Sequence, residues 1–304
     1  MSVAGLPQDR SVKWTYYSHR QIYNRLAEVG IDISPYQVKK LLESGKYKKR
    51  KLLKMKTLKE VEGRNEQFEK IASYRAFFAE SGLPIISIDT KKKELFGDFS
   101  RAGTAYSTEE RHSKDHDFLS AGDGHIIPHG IYDTRDNTGY VTLGTSKDTS
   151  EFVCDNIKRC WTQSLQYKYP DTDTMLLLCD GGGSNASAHY IVKQDLVKLA
   201  KSLNINILVA HYPPYCSKWN PIEHRLFSQI THTWAGVPFT NIEFIKELTN
   251  NTTTKTGLKV ITEINTKTYL TKREVEKDFR DNIEQYIVFD DKNPKLNYLI
   301  KGKN

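Results

Sequence analysis

The sequence predicts an α/β fold, a mixed β-sheet flanked by helices, preceded by a small helical module of different character. Two observations carry this. From residue 85 onward, hairpin-like pairs of strand patterns give way to strands alternating with helices, an order that builds a mixed sheet covered on its faces. The charge is also segregated. Residues 1–84 hold 17 Lys+Arg against 9 Asp+Glu, while the rest hold 28 of each, so the net charge of +8 falls in the first quarter. An excess of that kind suits a module that binds a polyanion, joined to an electrically balanced body.

Composition sets further bounds. The chain has 304 residues, 38% hydrophobic and 27% charged, a globular composition long enough for two or three modules. No apolar run approaches the ~18 residues that span a bilayer, and the opening MSVAGLPQDR lacks the apolar stretch of a secretory signal. Cys154, Cys160, Cys179 and Cys216 form no CxxC pair and read as buried free thiols of a reducing cytosol. The expected divisions are a helix-turn-helix module with a basic arm (1–56), a connector helix (57–82), the α/β core (83–240) and a C-terminal helical extension (241–304).

In the first module, Ile22, Leu26 and Val29 stand at helical spacing between Ser18 and Gly30. After a short turn, Ser34 is a cap residue with Pro35 at the first helical position. The second helix runs to about Ser44, with Val38, Leu41 and Leu42 facing inward. Two short helices joined by a tight turn make a helix-turn-helix pattern. Its outward face offers Gln37, Lys39 and Lys40 to base edges or phosphates. The run KYKKRKLLKMK follows, with seven basic residues including Lys46, Lys48, Lys49, Arg50 and Lys51, suited to phosphate contact. The connector carries an apolar stripe of Phe68, Ile71, Tyr74, Phe77 and Phe78.

The body begins with the buried strand IISID (85–89), for which ELFGDFS (94–100) is the expected hairpin partner. A polar, Gly-rich loop leads to a second hairpin, IIPHGIYD (126–133) with YVTLG (140–144). Asp148 or Ser150 caps a helix to about Tyr167. The strand MLLLC (175–179), a helix from about Ala188 to Leu203, the strand INILVA (205–210) and a helix from Pro221 to about Trp234 complete the core.

Three acids stand where this scaffolding ends. Asp89 closes IISI and Asp180 closes MLLLC, positions at the C-terminal lip of buried strands, where α/β folds place their ligands. Glu223 follows a cap residue, Asn220, and Pro221. At ~100° per residue it falls inside the apolar arc of Ile222, Leu226, Ile230 and Trp234, whereas His224, Arg225, Ser228 and Gln229 fall outside. A carboxylate aimed at the core needs a partner, and a divalent cation is a good one. The bland alternatives are a capping box for Glu223, an Asx turn for Asp180 and pairing with Lys91 to Lys93 for Asp89. Three acids serve in-line displacement at phosphorus, because two Mg²⁺ ions about 4 Å apart activate the attacking oxygen and steady the leaving one.

The run from Pro84 to about Val260 resembles the Rhodopirellula-type DDE transposases of the ISAzo insertion-sequence group. The segments that carry the likeness are PIISIDTKKKELFGDFS, HDFLSAGDGHIIPHGIYD, LLLCDGGGSN, HYPPYCSKWNPIEHRLFSQI and TTTKTGLKV. PPY followed by NPIEH also resembles the wider mariner-like group. The resemblance implies a ribonuclease-H-like core, Mg²⁺ or Mn²⁺, cleavage and joining of DNA, and the triad Asp89, Asp180 and Glu223. It further implies element terminal repeats and target DNA as partners, a homo-oligomer assembled on DNA, no membrane, and a cytoplasmic, nucleoid-associated place of work. Asp180 and Glu223 lie 43 positions apart, wider than is usual in the mariner-like group, and Asp98 competes for the role of first acid. A catalytically silent DNA-binding remnant and another ribonuclease-H-like nuclease are the alternatives. Family members usually carry a further N-terminal helical region, so this chain is expected to be the shorter form, with weak specificity for element ends.

Weaker signals remain. Gly181 to Gly183 with Asn185 could admit a phosphate, and Lys218, Trp219 and Asn220 could touch the substrate strand. His211, Cys216 and His224 match no common zinc spacing.

Overall fold

The computed structural model describes residues 5–6, 9–13, 15, 17–48, 63–105, 108–110, 112–114, 124–181 and 189–303. They divide into two compact units, Met1–Leu58 and Lys59–Asn304.

In the first unit, β1 (Gly5–Leu6) pairs antiparallel with β2 (Asp9–Lys13), and α1 (His19–Glu28) and α2 (Pro35–Ser44) follow. Both helices start as their sequences dictate. Ser18 and Ser34 each accept from the backbone N–H three residues on, and Gln21 and Gln37 accept from the cap N–H in return. The side-chain oxygen of Gln37 is therefore turned back on its own helix, although the residue remains exposed. Lys39, Lys40, Lys46 and Lys48 are exposed as expected; Lys49, Arg50 and Lys51 lie outside the described residues. The inward face is thinner than its periodicity suggested. Val38 is buried, but Leu41 is 59% and Val29 70% exposed, because two ten-residue helices have too little surface to enclose every apolar side chain.

The second unit opens with α3 (Arg64–Glu80), then β3 (Ile85–Thr90), β4 (Glu94–Phe96), β5 (Gly124–Asp133) and β6 (Thr138–Gly144). Next come α4 (Ser150–Cys160), a π turn (Trp161–Leu165) and α5 (Gln166–Lys168), capped by Thr149 rather than Asp148 or Ser150. The strand β7 (Thr174–Cys179), α6 (Tyr190–Leu203) and β8 (Asn206–His211) follow. A 3₁₀ turn (Ser217–Trp219) and a π turn (Glu223–Phe227) then lead into α7 (Ser228–Trp234). The last part holds α8 (Ile242–Asn250), β9 (Lys259–Asn265), α9 (Lys277–Asp281), α10 (Ile283–Tyr286), β10 (Ile287–Phe289) and β11 (Asn297–Ile300).

The sheet runs β10-β11-β8-β7-β3-β5-β6-β9, with β4 paired to β5. Its centre, β6-β5-β3-β7-β8, is an antiparallel meander of three strands followed by two strands parallel to the first. That is the ribonuclease-H arrangement. Two expectations are corrected. β4 pairs with β5 rather than β3, whose antiparallel edge β5 already occupies. The C-terminal stretch is not a helical extension: β9 pairs parallel to β6, and β11 pairs antiparallel to β8. β10 and β11 have three and four residues, too few for alternation to register, and they form because β8 offers an edge to cover.

One face of the sheet packs on α4 and α6, through Ile86, Ile88, Met175, Leu177 and Val209 against Val153, Ile157, Leu196 and Ala200. The other face meets α3 at Ile71 and Phe78, the π turn at Leu226, α7 at Ile230 and Trp234, and α8 at Ile245. Of the expected connector stripe, Phe77 is 61% exposed. All four cysteines are free and buried. No described helix is long and apolar enough to cross a membrane.

Candidate active site

Strand register brings the first two acids together. Asp89 is the penultimate residue of β3, and Asp180 follows the last residue of β7. The strands are parallel, with Ile85 opposite Leu176 and Ser87 opposite Leu178, an offset of 91 (176 − 85). Carried two residues further, that offset sets Asp89 opposite Asp180. Side chains alternate between faces, and Ile85, Leu176 and Leu178 pack with α3. Both carboxylates therefore belong to that face.

The third acid arrives on a helix, and β3 itself holds the start of that helix. The Ser87 hydroxyl donates to Asn220 Oδ1, while Asn220 Nδ2 donates to the Ile88 carbonyl at 3.0 Å. The Ile222 N–H donates to Ser87 Oγ at 3.1 Å. Asn220 is fully buried with both ends of its amide engaged. It is thus a clamp between helix and sheet rather than a DNA contact, and its side chain neither caps the helix nor closes a box with Glu223.

Two glycines let this helix come close. A Cβ on Gly130, opposite Asp89 in β5, would lie 2.6 Å from the Phe227 ring and 2.7 Å from Ile222. One on Gly139 would lie 2.4 Å from Leu226. Glu223 then starts a π turn in which the Ser228 N–H reaches back to the Glu223 carbonyl. Such turns are frequent at functional sites.

The result is an acid cluster. Asp89 is 8% exposed, and its carboxyl is pushed up to about 8 by burial first and by the negative charge of Asp180 next. The charge of Glu223 raises it further, while the Thr90 N–H donates to Asp89 Oδ1 at 2.7 Å and pulls the other way. Asp98 lies in a bend between the bridges Gly97–Phe239 and Phe99–Lys114, and the charges that dominate at Asp89 are those of Asp180 and Glu223.

The fit of a cation can be judged from this donor set. Among the described residues no three His, Cys, Asp or Glu side chains stand close enough together to hold an ion as placed. The chemistry still suits one: these are hard oxygen donors, and the charges of Asp180 and Glu223 add to burial in raising the pKa of Asp89.

Around the cluster, Lys218 and Trp219 are exposed, with the Lys218 ammonium 5.4 Å from the Trp219 ring and Phe68 edge-on to that ring at 6.2 Å. Gly182, Gly183 and Asn185 lie outside the described residues. His211 is 1% exposed, and burial lowers it to about 4, so the ring is neutral. Its Nδ1 bonds the Asp180 carbonyl at 2.9 Å and its Nε2 faces the Tyr298 hydroxyl at 3.2 Å. The sequence reading assigns no role to Ser87, Gly130, His211 or Tyr298. Only Gly130 left a readable signal there, as a glycine inside a strand pattern where another element must approach closely.

A crystal structure of the mariner Mos1 paired end complex with Mg aligns at 17% identity over 80% of this chain and 73% of that chain, with a TM-score of 0.47. A Mos1 transposase paired-end complex with left transposon end aligns at 15% identity, over 76% of this chain and 65% of that one, with a TM-score of 0.45. No curated protein matches the sequence. The model of the Rhodopirellula transposase DDE domain family matches residues 2–302. Spanning nearly the whole sequence, that match makes the chain a member of the Rhodopirellula transposase DDE domain family.

Proposed function

We propose that this chain cleaves and rejoins DNA at the acid cluster, with Asp89, Asp180 and Glu223 as the DDE triad. The observation that supports the reading is the register of β3 on β7, whose offset runs on to Asp89 and Asp180, beside the helix start that the Ser87–Asn220 clamp holds to β3. Asp89 is held within the β3–β5 ladder, and Asp180 directly follows the last residue of β7. Glu223 is held by a helix that cannot shift along the sheet without breaking buried hydrogen bonds.

DDE enzymes as a class use divalent metal, and here Asp89, Asp180 and Glu223 would hold it, as Mg²⁺ or Mn²⁺ and as two ions. When bound, the metal would acidify the attacking oxygen and offset charge that gathers at phosphorus. The chain's own part is to keep three oxygen donors fixed. Lys218 and Trp219 steady the neighbouring strand by charge and by stacking. The basic first unit, through Lys39, Lys40, Lys46 and Lys48 and the arm beyond them, supplies phosphate contacts to terminal-repeat and target DNA. It presents the helix-turn-helix reading of α1 and α2 to the groove. On this reading the enzyme works as a homo-oligomer assembled on its DNA.

The test is cleavage of end-containing DNA with Mg²⁺ by Asp89→Asn, Asp180→Asn and Glu223→Gln proteins. Each is expected to lose at least a thousandfold in rate while binding DNA within about threefold of the parent. Metal-dependent cleavage retained by Asp180→Asn would overturn the assignment. A dead Asp98→Asn beside an active Asp89→Asn would move the first acid to Asp98.

A further inference from the structure

The hydrogen bonds of the β7–β8 ladder end at the pair Cys179–His211. Asp180, one residue beyond, is therefore past the last main-chain rung, and the Tyr212 N–H reaches back only to the Cys179 carbonyl, at 2.9 Å. The His211 side chain extends the restraint by one residue, because its Nδ1 lies 2.9 Å from the Asp180 carbonyl. A carbonyl can only accept, so Nδ1 carries the hydrogen. Nε2 faces the Tyr298 hydroxyl at 3.2 Å, a group that can donate to it. Nδ1 also faces the Cys179 sulfur at 3.3 Å, a weaker acceptor.

Tyr298 is itself held by the sheet, and its neighbour by α3. It lies in β11, paired with Val209 of β8 in register. Its neighbour Asn297 exchanges side-chain hydrogen bonds with Gln67 of α3, at 2.7 and 2.8 Å. Gln67 also donates to the His211 carbonyl at 2.9 Å. Gln67 and Asn297 are fully buried, and Tyr298 is 1% exposed. α3 and β11 thus converge on one histidine, α3 at its backbone carbonyl and β11 at its ring, and that ring grips the backbone of an acid.

We propose that His211, held in its Nδ1–H form by Tyr298, is a positioning residue that fixes the backbone of Asp180 and thereby sets the affinity of the acid cluster for divalent cations. On this account β11 belongs to the site through Tyr298. The inference rests on the reading of Asp180 as a ligand. Partners of this outer kind typically change metal affinity by about 10–100-fold when removed.

The experiment measures binding of Mn²⁺ alone to the 304-residue chain, by the loss of the free-ion signal in electron paramagnetic resonance, beside thermal unfolding without metal. His211→Leu is expected to weaken Mn²⁺ binding about tenfold or more, and Tyr298→Phe by about threefold. His211→Asn, whose amide nitrogen falls where Nδ1 stands, is expected to recover most of the affinity. His211→Gln, which puts its donor at the Nε2 position, is not. Asp180→Asn separates the two ideas: if it leaves Mn²⁺ binding unchanged, the reading of Asp180 itself fails. If Asp180→Asn weakens binding while a folded His211→Leu protein binds like the parent, the positioning role is wrong. Should His211→Leu fail to fold, equal affinities in the Asn and Gln proteins overturn the proposal.

Discussion

His129 shows how much a single residue can owe to its surroundings. It sits in β5 opposite Thr90, fully buried, with its ring edge-on to Phe152 at 5.8 Å. Neither ring nitrogen has a hydrogen-bond partner among the described residues. Burial, with the Arg159 charge adding to it, pulls its pKa from 6.5 down to about 3. The sign of the effect on stability follows. Below pH 6.5 the unfolded chain takes up a proton that the folded chain refuses, so stability falls as pH drops from 6.5 toward 3, by roughly 1.4 kcal/mol per pH unit for this one group. His129→Leu removes that proton and is expected to flatten the dependence of unfolding free energy on pH between 6 and 4 by one proton's worth, relative to the parent. Parallel curves for the two proteins would show that the ring is protonated, or exposed, in the folded state. Asp89 works in the opposite direction, since its pKa is raised to about 8, so the comparison must be between variant and parent.

At the scale of elements, the approach of the Glu223 helix to β5 is the sensitive dimension. Gly130 and Gly139 leave no room for a methyl group beneath Phe227, Ile222 and Leu226. Overpacking of that kind costs typically ~1–3 kcal/mol. The functional cost should be larger, because a displacement on the order of 1 Å at a catalytic group can lower a rate about a hundredfold. Gly130→Ala is therefore expected to remain folded, to bind DNA normally and to cut it at least tenfold more slowly. Parent-like cleavage by a folded Gly130→Ala protein would mean that the helix adjusts freely and that the glycine is a packing detail. The Ser87–Asn220 clamp predicts the same split: Ser87→Ala should lower cleavage and leave DNA binding alone, since the hydroxyl joins β3 to the helix start.

For the whole molecule, the division of charge matters most. The excess of basic residues lies before residue 85, while the body that holds the acids is balanced. Binding and cutting should therefore come apart under salt. Each lost phosphate contact reduces the slope of log affinity against log salt by about 0.9 on duplex DNA. Neutralising Lys48, Lys49, Arg50 and Lys51 in the full chain is expected to flatten that slope measurably, whereas Lys218→Ala should shift it by no more than one contact. A slope unchanged in the fourfold variant, measured by titration across salt concentrations, would place the phosphate contacts elsewhere.

The sequence by itself determined the alternation of strands and helices, the two acids that close β3 and β7, the capped starts of α1 and α2 and the segregation of charge. All of these are local: a period, a cap or a count can be read within a dozen residues. It also marked Glu223 as an acid in an apolar arc, though the π turn that begins there had no local signature. Tertiary structure alone decided the rest. The offset that sets Asp89 beside Asp180, the Ser87–Asn220 clamp and the pairing of β4 with β5 join residues far apart along the chain. So does the bond from Tyr298 to His211. Asn220 reads as a cap because Asn before Pro usually is one. It serves as a clamp because β3 offers a hydroxyl and a carbonyl at the same point, and a fully buried amide must satisfy both its donor and its acceptor.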